Sequence, residues 1–439
     1  MHRRWLYAWG LGSAAFGAAS LLVPLYVVTL GGGPADLGYL AAVAAFLGAP
    51  GAIVWGRLAD RTTRRREVAV ASLAGVAAVL AAMPLLGGSW AVIAANAVLW
   101  LLVAAAGPVL TLLVVADVPE SAWSREIGLL NAYQGYGWAA GLVLGLAWTA
   151  AVGRALDPTT AQRTLFWASA ACAGAAAVGM ARWMPRPAER SVARVDPRRV
   201  ARTLAASRRN VRGATFAFAP NRLYWSTRAI HPRRLAERFT PALAGYYLAA
   251  ILFFTGFAAF WAPLPLFLTD AGYGGDAVFG LYLMSSLGSA AFYVGAGRLS
   301  AEYDLRGLQI GALGVRGVAL PGVAVVGGLG TAALGVGLTA LAFALIGAAW
   351  AVIAVTATTI VTRLAPASLR GEALGVFAAL SALAGGVGSV AGGWLAAGPG
   401  FSTTFAVAGA LVLAGAGLTG LLREISTRTA MVTETMTAE

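Results

Sequence analysis

The chain has 439 residues, a formal net charge of +14 and a mean hydropathy of +0.75, and only 11% of its residues are charged. Soluble domains carry about a quarter charged residues, so this composition indicates a membrane protein. All 32 lysine-plus-arginine positions are arginine, and the missing lysine excludes a Walker A loop and a lysine Schiff base. With one cysteine, and two histidines outside the apolar runs, we expect no disulfide framework, no metal site and no cofactor.

Twelve apolar runs follow one another along the chain. Each has at least the roughly 20 residues that a helix needs to cross a bilayer, so the sequence predicts an all-α polytopic fold with twelve transmembrane helices. The predicted spans are 5–30, 36–56, 67–86, 90–117, 126–151, 163–184, 241–269, 277–297, 307–329, 331–362, 371–397 and 401–422.

The arginines orient these spans. If the N-terminus is cytoplasmic, 29 of the 32 arginines lie on the inner side, and only Arg154 and Arg163 lie outside, with Arg316 still to be placed. By the positive-inside rule both termini are then cytoplasmic. We expect a multi-pass protein of the plasma membrane, and the lysine-free, alanine-, glycine- and arginine-rich composition favours a prokaryotic source.

The central loop is strongly basic. Residues 182–238 hold 15 arginines and three carboxylates, a local charge of +12. We interpret this loop as a cytoplasmic linker held against anionic lipid headgroups. A nucleic-acid partner is disfavoured, because the basic charge follows from membrane topology.

Glycine-containing patterns of the first half recur in the second half at offsets between 239 and 247. The pairs are Gly17–Pro24 with Gly256–Pro263, Gly56-Arg57-Leu58 with Gly297-Arg298-Leu299, and Gly128, Gly141 and Gly145 with Gly375, Gly388 and Gly392. The repeat predicts two pseudo-symmetric six-helix bundles. They would cover residues 1–184 and 241–423, with a linker at 185–240 and a cytoplasmic tail at 424–439. We interpret the glycines four residues apart as sites of close helix packing.

The segment between the second and third spans carries a recognisable motif. Gly56-x-Leu58-Ala59-Asp60-Arg61-x-x-Arg64-Arg65 resembles the signature of the major facilitator superfamily, although Thr63 stands where glycine is usual. In the second-half copy Ala301 replaces the aspartate. The resemblance implies a transporter of a small molecule, not an enzyme. It also implies that Asp60 holds the cytoplasmic gate against the start of the eleventh span, around Arg370, Gly371 and Glu372.

The resemblance further implies that spans 1, 4, 7 and 10 line a central cavity. The candidate cavity residues are Asn131, Gln134, Phe254, Thr255, Trp261, Arg316 and Trp350. Each has a structural alternative, because polar groups also bond neighbouring helices and aromatic rings also pack. Arg316 is either inside the membrane, where it would meet a substrate anion or a partner, or at the inner interface if the stretch 317–362 is split near Gly335.

The substrate is less constrained than the family. No carboxylate lies deep in a span. Proton-coupled drug exporters of the family that this chain resembles often have an arginine in the fourth span and a Gly-Pro pair in the fifth, and this chain has neither. Together these departures disfavour a proton-antiporting exporter. We favour export of an amphipathic, drug-like compound by a monomer, with uptake of a sugar-like or neutral metabolite as the alternative. A non-transporting scaffold or regulator that uses the basic loop is a competing class. A membrane-embedded enzyme is disfavoured, because no carboxylate cluster or nucleophile-base pair is visible in the spans.

Overall fold

The computed structural model describes residues 4–61, 65–115, 119, 123–184, 240–366 and 370–437. Side chains are described for fewer residues, and those of 48–65, 367–372 and 423–439 are among the ones left out. Within this part of the chain the fold is all-helical. The helices are α1 (Arg4–Thr29), α2 (Pro34–Arg61), α3 (Arg65–Ala82), α4 (Ser89–Val115), α5 (Trp123–Val152), α6 (Pro158–Trp183), α7 (Pro241–Trp261), α8 (Leu264–Asp270), α9 (Gly275–Glu302), α10 (Leu305–Gly327), α11 (Ala333–Leu364), α12 (Arg370–Ala397) and α13 (Phe401–Thr437).

The predicted all-α polytopic fold is confirmed. Eleven stretches are long and apolar enough to cross a membrane, and α2 supplies a shorter apolar stretch, Pro34–Leu47, among the residues whose side chains are described. Helices are the favoured way to cross a bilayer because every backbone hydrogen bond is satisfied within the segment.

Several predicted boundaries were wrong. The segment between the second and third predicted spans is largely helical, since α2 continues to Arg61 and α3 begins at Arg65. Arginine is a good helix former, so a helix extends readily past its apolar part. The last helix likewise runs beyond residue 422, to Thr437. The seventh span is broken after Trp261, because the ring of Pro263 leaves no N–H for a continuous helix.

The alternating helices define two faces of the molecule. One, here called the arginine-rich face, has Arg4, Arg66, Arg182, Arg298, Arg306 and Arg363 near the helix ends. The opposite, arginine-poor face has short connections. All four described glycines with positive φ lie in these connections, and Gly31 (φ 82°) and Gly272 (φ 86°) are 241 positions apart. A left-handed backbone is favourable mainly for glycine, so the turn at Gly31 and the turn at Gly272 are equivalent in the repeat.

Side-chain caps fix where some helices begin on both faces. The Asp157 carboxylate accepts a hydrogen bond of 3.0 Å from the backbone N–H of Thr160 at the start of α6. Asp304 does the same for the N–H of Gly307 at the start of α10, at 2.8 Å. Such bonds satisfy amides that have no partner within the helix. The bond from Thr160 holds the pKa of Asp157 below its usual range.

The repeat is also visible in how helices pack within each half. A β-carbon on Gly141 of α5 would collide with the carbonyl oxygen of Ala14 on α1, and one on Gly388 of α12 would collide with that of Thr255 on α7. Ala14 and Thr255 are 241 positions apart, as Gly31 and Gly272 are. The prediction that these glycines allow close helix packing is therefore confirmed.

The two halves meet through α2 with α12 and through α5 with α9. A β-carbon on Gly38 would lie 2.7 Å from the carbonyl oxygen of Ser389, so α2 and α12 touch through their backbones. Beside this contact the indole Nε1 of Trp394 donates a 2.9 Å hydrogen bond to the hydroxyl of Tyr39. Between α5 and α9, the ring of Phe279 packs directly against Gly145. All these contacts lie within about two helical turns of the arginine-poor face.

Candidate functional site

Arg316 lies at the centre of α10. It is the twelfth of the 23 residues between Leu305 and Gly327, and only 4% of its surface is exposed. Among the side chains that the structure describes, it is the single charged group more than two turns from both ends of its helix. The alternative placement of Arg316 at the inner interface is therefore wrong. The eleven residues before it continue the same helix, so the chain does not begin a new span there.

The guanidinium group of Arg316 points towards α7 and α11. Its central carbon lies 4.0 Å from the centre of the Phe257 ring and 5.4 Å from that of Trp350. Its Nη1 donates to the backbone oxygen of Ile346 at 3.4 Å, and its buried Nε has no hydrogen-bond partner. The positive charge is thus held mainly by aromatic faces.

Four aromatic residues form a group around this charge, here called the aromatic group: Phe254, Phe257, Trp350 and Phe377. Phe254 is 6.3 Å from Trp350 and 5.8 Å from Phe377, between ring centres. Phe257 is 6.1 Å from Trp350 at an interplanar angle of 85°. These edge-to-face contacts join α7, α11 and α12. Trp350 is half-buried, whereas the three phenylalanines are buried.

Trp261 belongs to a different cluster. It is the last residue of α7, and its ring centre lies 5.2 Å from Tyr282 and 5.9 Å from Phe343. Thr255 is half-buried, and its backbone forms the surface against which Gly388 packs. Of the predicted cavity residues, the structure therefore brings Phe254, Arg316 and Trp350 together and places Trp261 closer to the arginine-poor face.

The two polar candidates of the fifth span lie in the other half of the chain. Asn131 and Gln134 are both half-buried on α5. Between them in sequence, Tyr133 packs edge-to-face on Tyr7 of α1 with ring centres 5.3 Å apart. The candidate residues of the two halves thus differ in side-chain type. The first half has amides and tyrosines on α1 and α5, and the second half has an arginine among aromatic rings.

The predicted gate lies largely outside the described side chains. Gly56, Leu58, Asp60 and Arg61 fall in the last turns of α2, Arg65 is the first residue of α3, and Arg64 falls between the described helices. Helix α12 begins at Arg370, followed by Gly371 and Glu372, where the sequence places the gate partner. The role of these residues remains a prediction.

The remaining carboxylates are peripheral. Those whose side chains are described lie in the first or last turns of helices or in caps, as Asp36, Asp270 and Asp276 do. Within the described residues no group of three histidine, cysteine, aspartate or glutamate side chains could hold a metal ion. Titratable groups near the middle of the helices in this part of the chain are therefore arginine, tyrosine and the single cysteine, Cys172 of α6.

Three contacts of the structure were not predicted from the sequence. Phe257 follows Phe254 by three residues, so helical spacing already places both on one face of α7. Phe377 carries no comparable local signal. Nor does the pair Tyr39 and Trp394, whose residues are 355 positions apart and meet only when both halves are folded.

Comparisons with known proteins agree with this architecture. The chain superposes on a mutant of the nucleoside transporter NupG with a TM-score of 0.72 at 12% identity, covering 95% of this chain and 98% of that one. A second NupG structure gives 0.64 at 14%, with coverages of 95% and 96%. The human organic anion transporter MFSD10 (TETRAN) gives 0.55 at 17%, with coverages of 95% and 98%. Identities this low establish the fold alone.

The sequence comparisons give the family. No curated protein matches the chain. The sequence profile of the Major Facilitator Superfamily, however, matches residues 5–389, which is most of the chain and extends from the first half of the repeat well into the second. The chain is a member of the major facilitator superfamily of transporters.

Proposed function

We propose that this transporter moves an amphipathic compound out of the cell by alternating access. The observation that carries the proposal is how the halves meet. Two repeat-related helix bundles touch across α2 with α12 and α5 with α9, through glycines close to one face. Halves joined in this way can rock about the space between them and expose it to each side in turn.

The direction of the chain in the membrane supports the same proposal. Since arginines concentrate on one face, we place that face in the cytoplasm of a plasma membrane, with both termini inside. The basic segment 185–240 would then lie against anionic lipid headgroups. The contacts at Gly38 and Gly145 would close the outer side.

We assign the inner gate to Asp60. The first turn of a helix carries a partial positive charge, and α12 begins at Arg370 on the arginine-rich face. A carboxylate at the end of α2 would therefore be attracted to the start of α12 whenever the inner side closes. Release of this contact would open the inner side.

The aromatic group favours an amphipathic cargo. Half-buried Trp350, packed against the buried phenylalanines, offers an apolar face that suits a planar apolar group. The alternative, uptake of a sugar-like or neutral metabolite, draws support from half-buried Asn131 and Gln134, which can exchange hydrogen bonds with hydroxyl groups. Transport measurements separate the two.

The test is flux through proteoliposomes that contain the purified full-length protein. The probes are 2-naphthoate, 2-naphthamide, ethidium and glucose, each measured with and without an imposed pH gradient. We expect protein-dependent movement of at least one amphipathic probe and none of glucose. Movement of glucose alone would support the alternative, and movement of no probe would count against both.

A further inference from the structure

We propose that Arg316 is an anion-binding site, and that the cargo carries a carboxylate or comparable acidic group next to a planar apolar portion. This inference rests on the proposed function for its biological meaning. Its physical basis is separate, because it follows from how the guanidinium group is held within the second half of the chain.

The guanidinium group of Arg316 has more hydrogen-bond donors than partners. Arginine has five N–H donors and keeps its charge in proteins. Among the described residues, those of Arg316 make one hydrogen bond, the 3.4 Å bond to the oxygen of Ile346, while Nε has no partner. A charge that is 96% buried with so few hydrogen bonds is unfavourable unless an anion completes its shell.

The aromatic rings attract the charge of Arg316 but do not use its hydrogen-bond donors. Phe257 and Trp350 attract the cation through their faces, and this attraction is stronger when the contact is shielded from water. A guanidinium group stacked on a ring can still donate two parallel hydrogen bonds in its own plane. The rings therefore position Arg316 without using its donors, and a carboxylate matches those donors in geometry and charge.

The charge of Arg316 lies between its own helix, α10, and the neighbouring helices α7 and α11. α10 packs against α11 and α13, yet its arginine reaches Phe257 of α7 and Trp350 of α11. Trp350 is half-buried and, through Phe254, is linked to Phe377 of α12, the helix that meets the other half. A planar ligand lying against Trp350 would have Arg316 one aromatic layer away. A small displacement of the indole would bring an acidic group and the guanidinium together.

The structural alternative is that Arg316 only ties α10 to α11 through Ile346. In that case the arginine would stabilise the fold and would not distinguish an acid from its neutral counterpart. The two interpretations predict different responses to a pair of ligands that differ only in charge.

The experiment measures binding of 2-naphthoate and 2-naphthamide to the purified full-length protein in detergent. Tryptophan fluorescence reports binding, and the shift of the thermal midpoint checks it. The variants are Arg316→Gln, Arg316→Lys, and Arg306→Gln as a matched control on the same helix. Arg306 lies in the first turn of α10, where its Nη1 donates to the oxygen of Leu422 at 2.8 Å.

We expect wild type and Arg306→Gln to bind the acid and not the amide. A charged hydrogen-bonded pair contributes about 1.5–3 kcal/mol, so Arg316→Gln should weaken naphthoate binding by about 10- to 150-fold. Arg316→Lys should recover part of this loss because it keeps the charge. Equal binding of acid and amide by wild type, no binding of the acid at all, or undiminished binding by Arg316→Gln would each overturn the proposal.

The comparison of ligands in wild type keeps the test decisive even if Arg316→Gln fails to fold. Its outcome is also separable from that of the proposed function. If wild-type protein moves ethidium or 2-naphthamide but neither binds nor moves 2-naphthoate, the export proposal stands and the anion site is wrong. If naphthoate binds through Arg316 but no probe crosses the membrane, the anion site stands and the transport proposal is wrong.

Discussion

Thr149 of α5 and Gly275 of α9 lie side by side across the two halves of the protein. A β-carbon placed on Gly275 would be 3.7 Å from Cβ of Thr149 and 3.4 Å from its Cγ2. Both residues are close to the arginine-poor face, at the last turn of one helix and the first turn of the other. This pair therefore belongs to the contact between the halves near the arginine-poor face.

Close packing at Gly388 makes a prediction for stability. Gly388→Ala should lower the free energy of unfolding by about 1–3 kcal/mol, because the added methyl group meets the carbonyl of Thr255. Gly295→Ala is the matched control on α9, since nothing lies within 4 Å of its added β-carbon. The control should be neutral or stabilising by up to about 1 kcal/mol, as alanine favours helix. Thermal unfolding in detergent checks both, and equal midpoints for the two variants would refute the packing argument.

The assignment of the inner gate predicts a defect in transport without a defect in folding. Asp60→Asn removes the charge that would be attracted to the start of α12, so flux should fall while membrane insertion and thermal stability stay near wild type. Glu302→Gln is the control, since Glu302 lies next to Ala301 in the second-half copy of the motif. Flux in proteoliposomes is the measurement. Wild-type flux in a correctly inserted Asp60→Asn protein would remove Asp60 from the gate.

The cap on α6 predicts a local response to acid. The pKa of Asp157 is lowered by the N–H of Thr160, so its charged form stabilises the start of α6. This stabilisation is present above the ordinary pKa of about 3.9 and is lost as the pH falls through the lower pKa of the folded protein. Hydrogen exchange of the Thr160 amide should therefore lose protection at acidic pH in wild type.

Asp157→Asn is the control for that response, because asparagine also caps helices but carries no titrating charge. Protection of Thr160 in this variant should not depend on the ionisation of residue 157. The same loss of protection in both proteins would show that another group is responsible.

Much of the fold follows from the sequence, since apolar length and arginine position are local signals. A run of about 20 apolar residues has few alternatives to a helix in a bilayer, and the recurring glycines identify where helices approach within each half. The repeat indicates that Gly141 and Gly388 play equivalent roles, and their packing agrees. The break after Trp261 was not predicted, although Pro263 is visible in the sequence. Pro24, at the equivalent position of the first half, remains inside α1, so a proline by itself does not determine whether the helix is broken.

The candidate site could be predicted only in part. The sequence contains Arg316, Phe254 and Trp350 but does not show whether α10 begins early enough to bury the arginine. The proximity of Phe257 to Arg316 depends on the rotation of α7 and α10 about their axes, which no local pattern specifies. The contact between Thr149 and Gly275 depends on how the two halves dock, and helix propensity and apolar length carry no information on docking.

The central claim, that the halves must separate at the arginine-poor face during transport, is tested most directly by joining Thr149 and Gly275. In a Cys172→Ser background, Thr149→Cys and Gly275→Cys would place two β-carbons about as far apart as a disulfide requires, roughly 3.5–4.5 Å. We predict that oxidation of this double variant stops flux of the amphipathic probe, that reduction restores it, and that neither single variant responds. Undiminished flux through protein whose disulfide is fully formed would contradict the account.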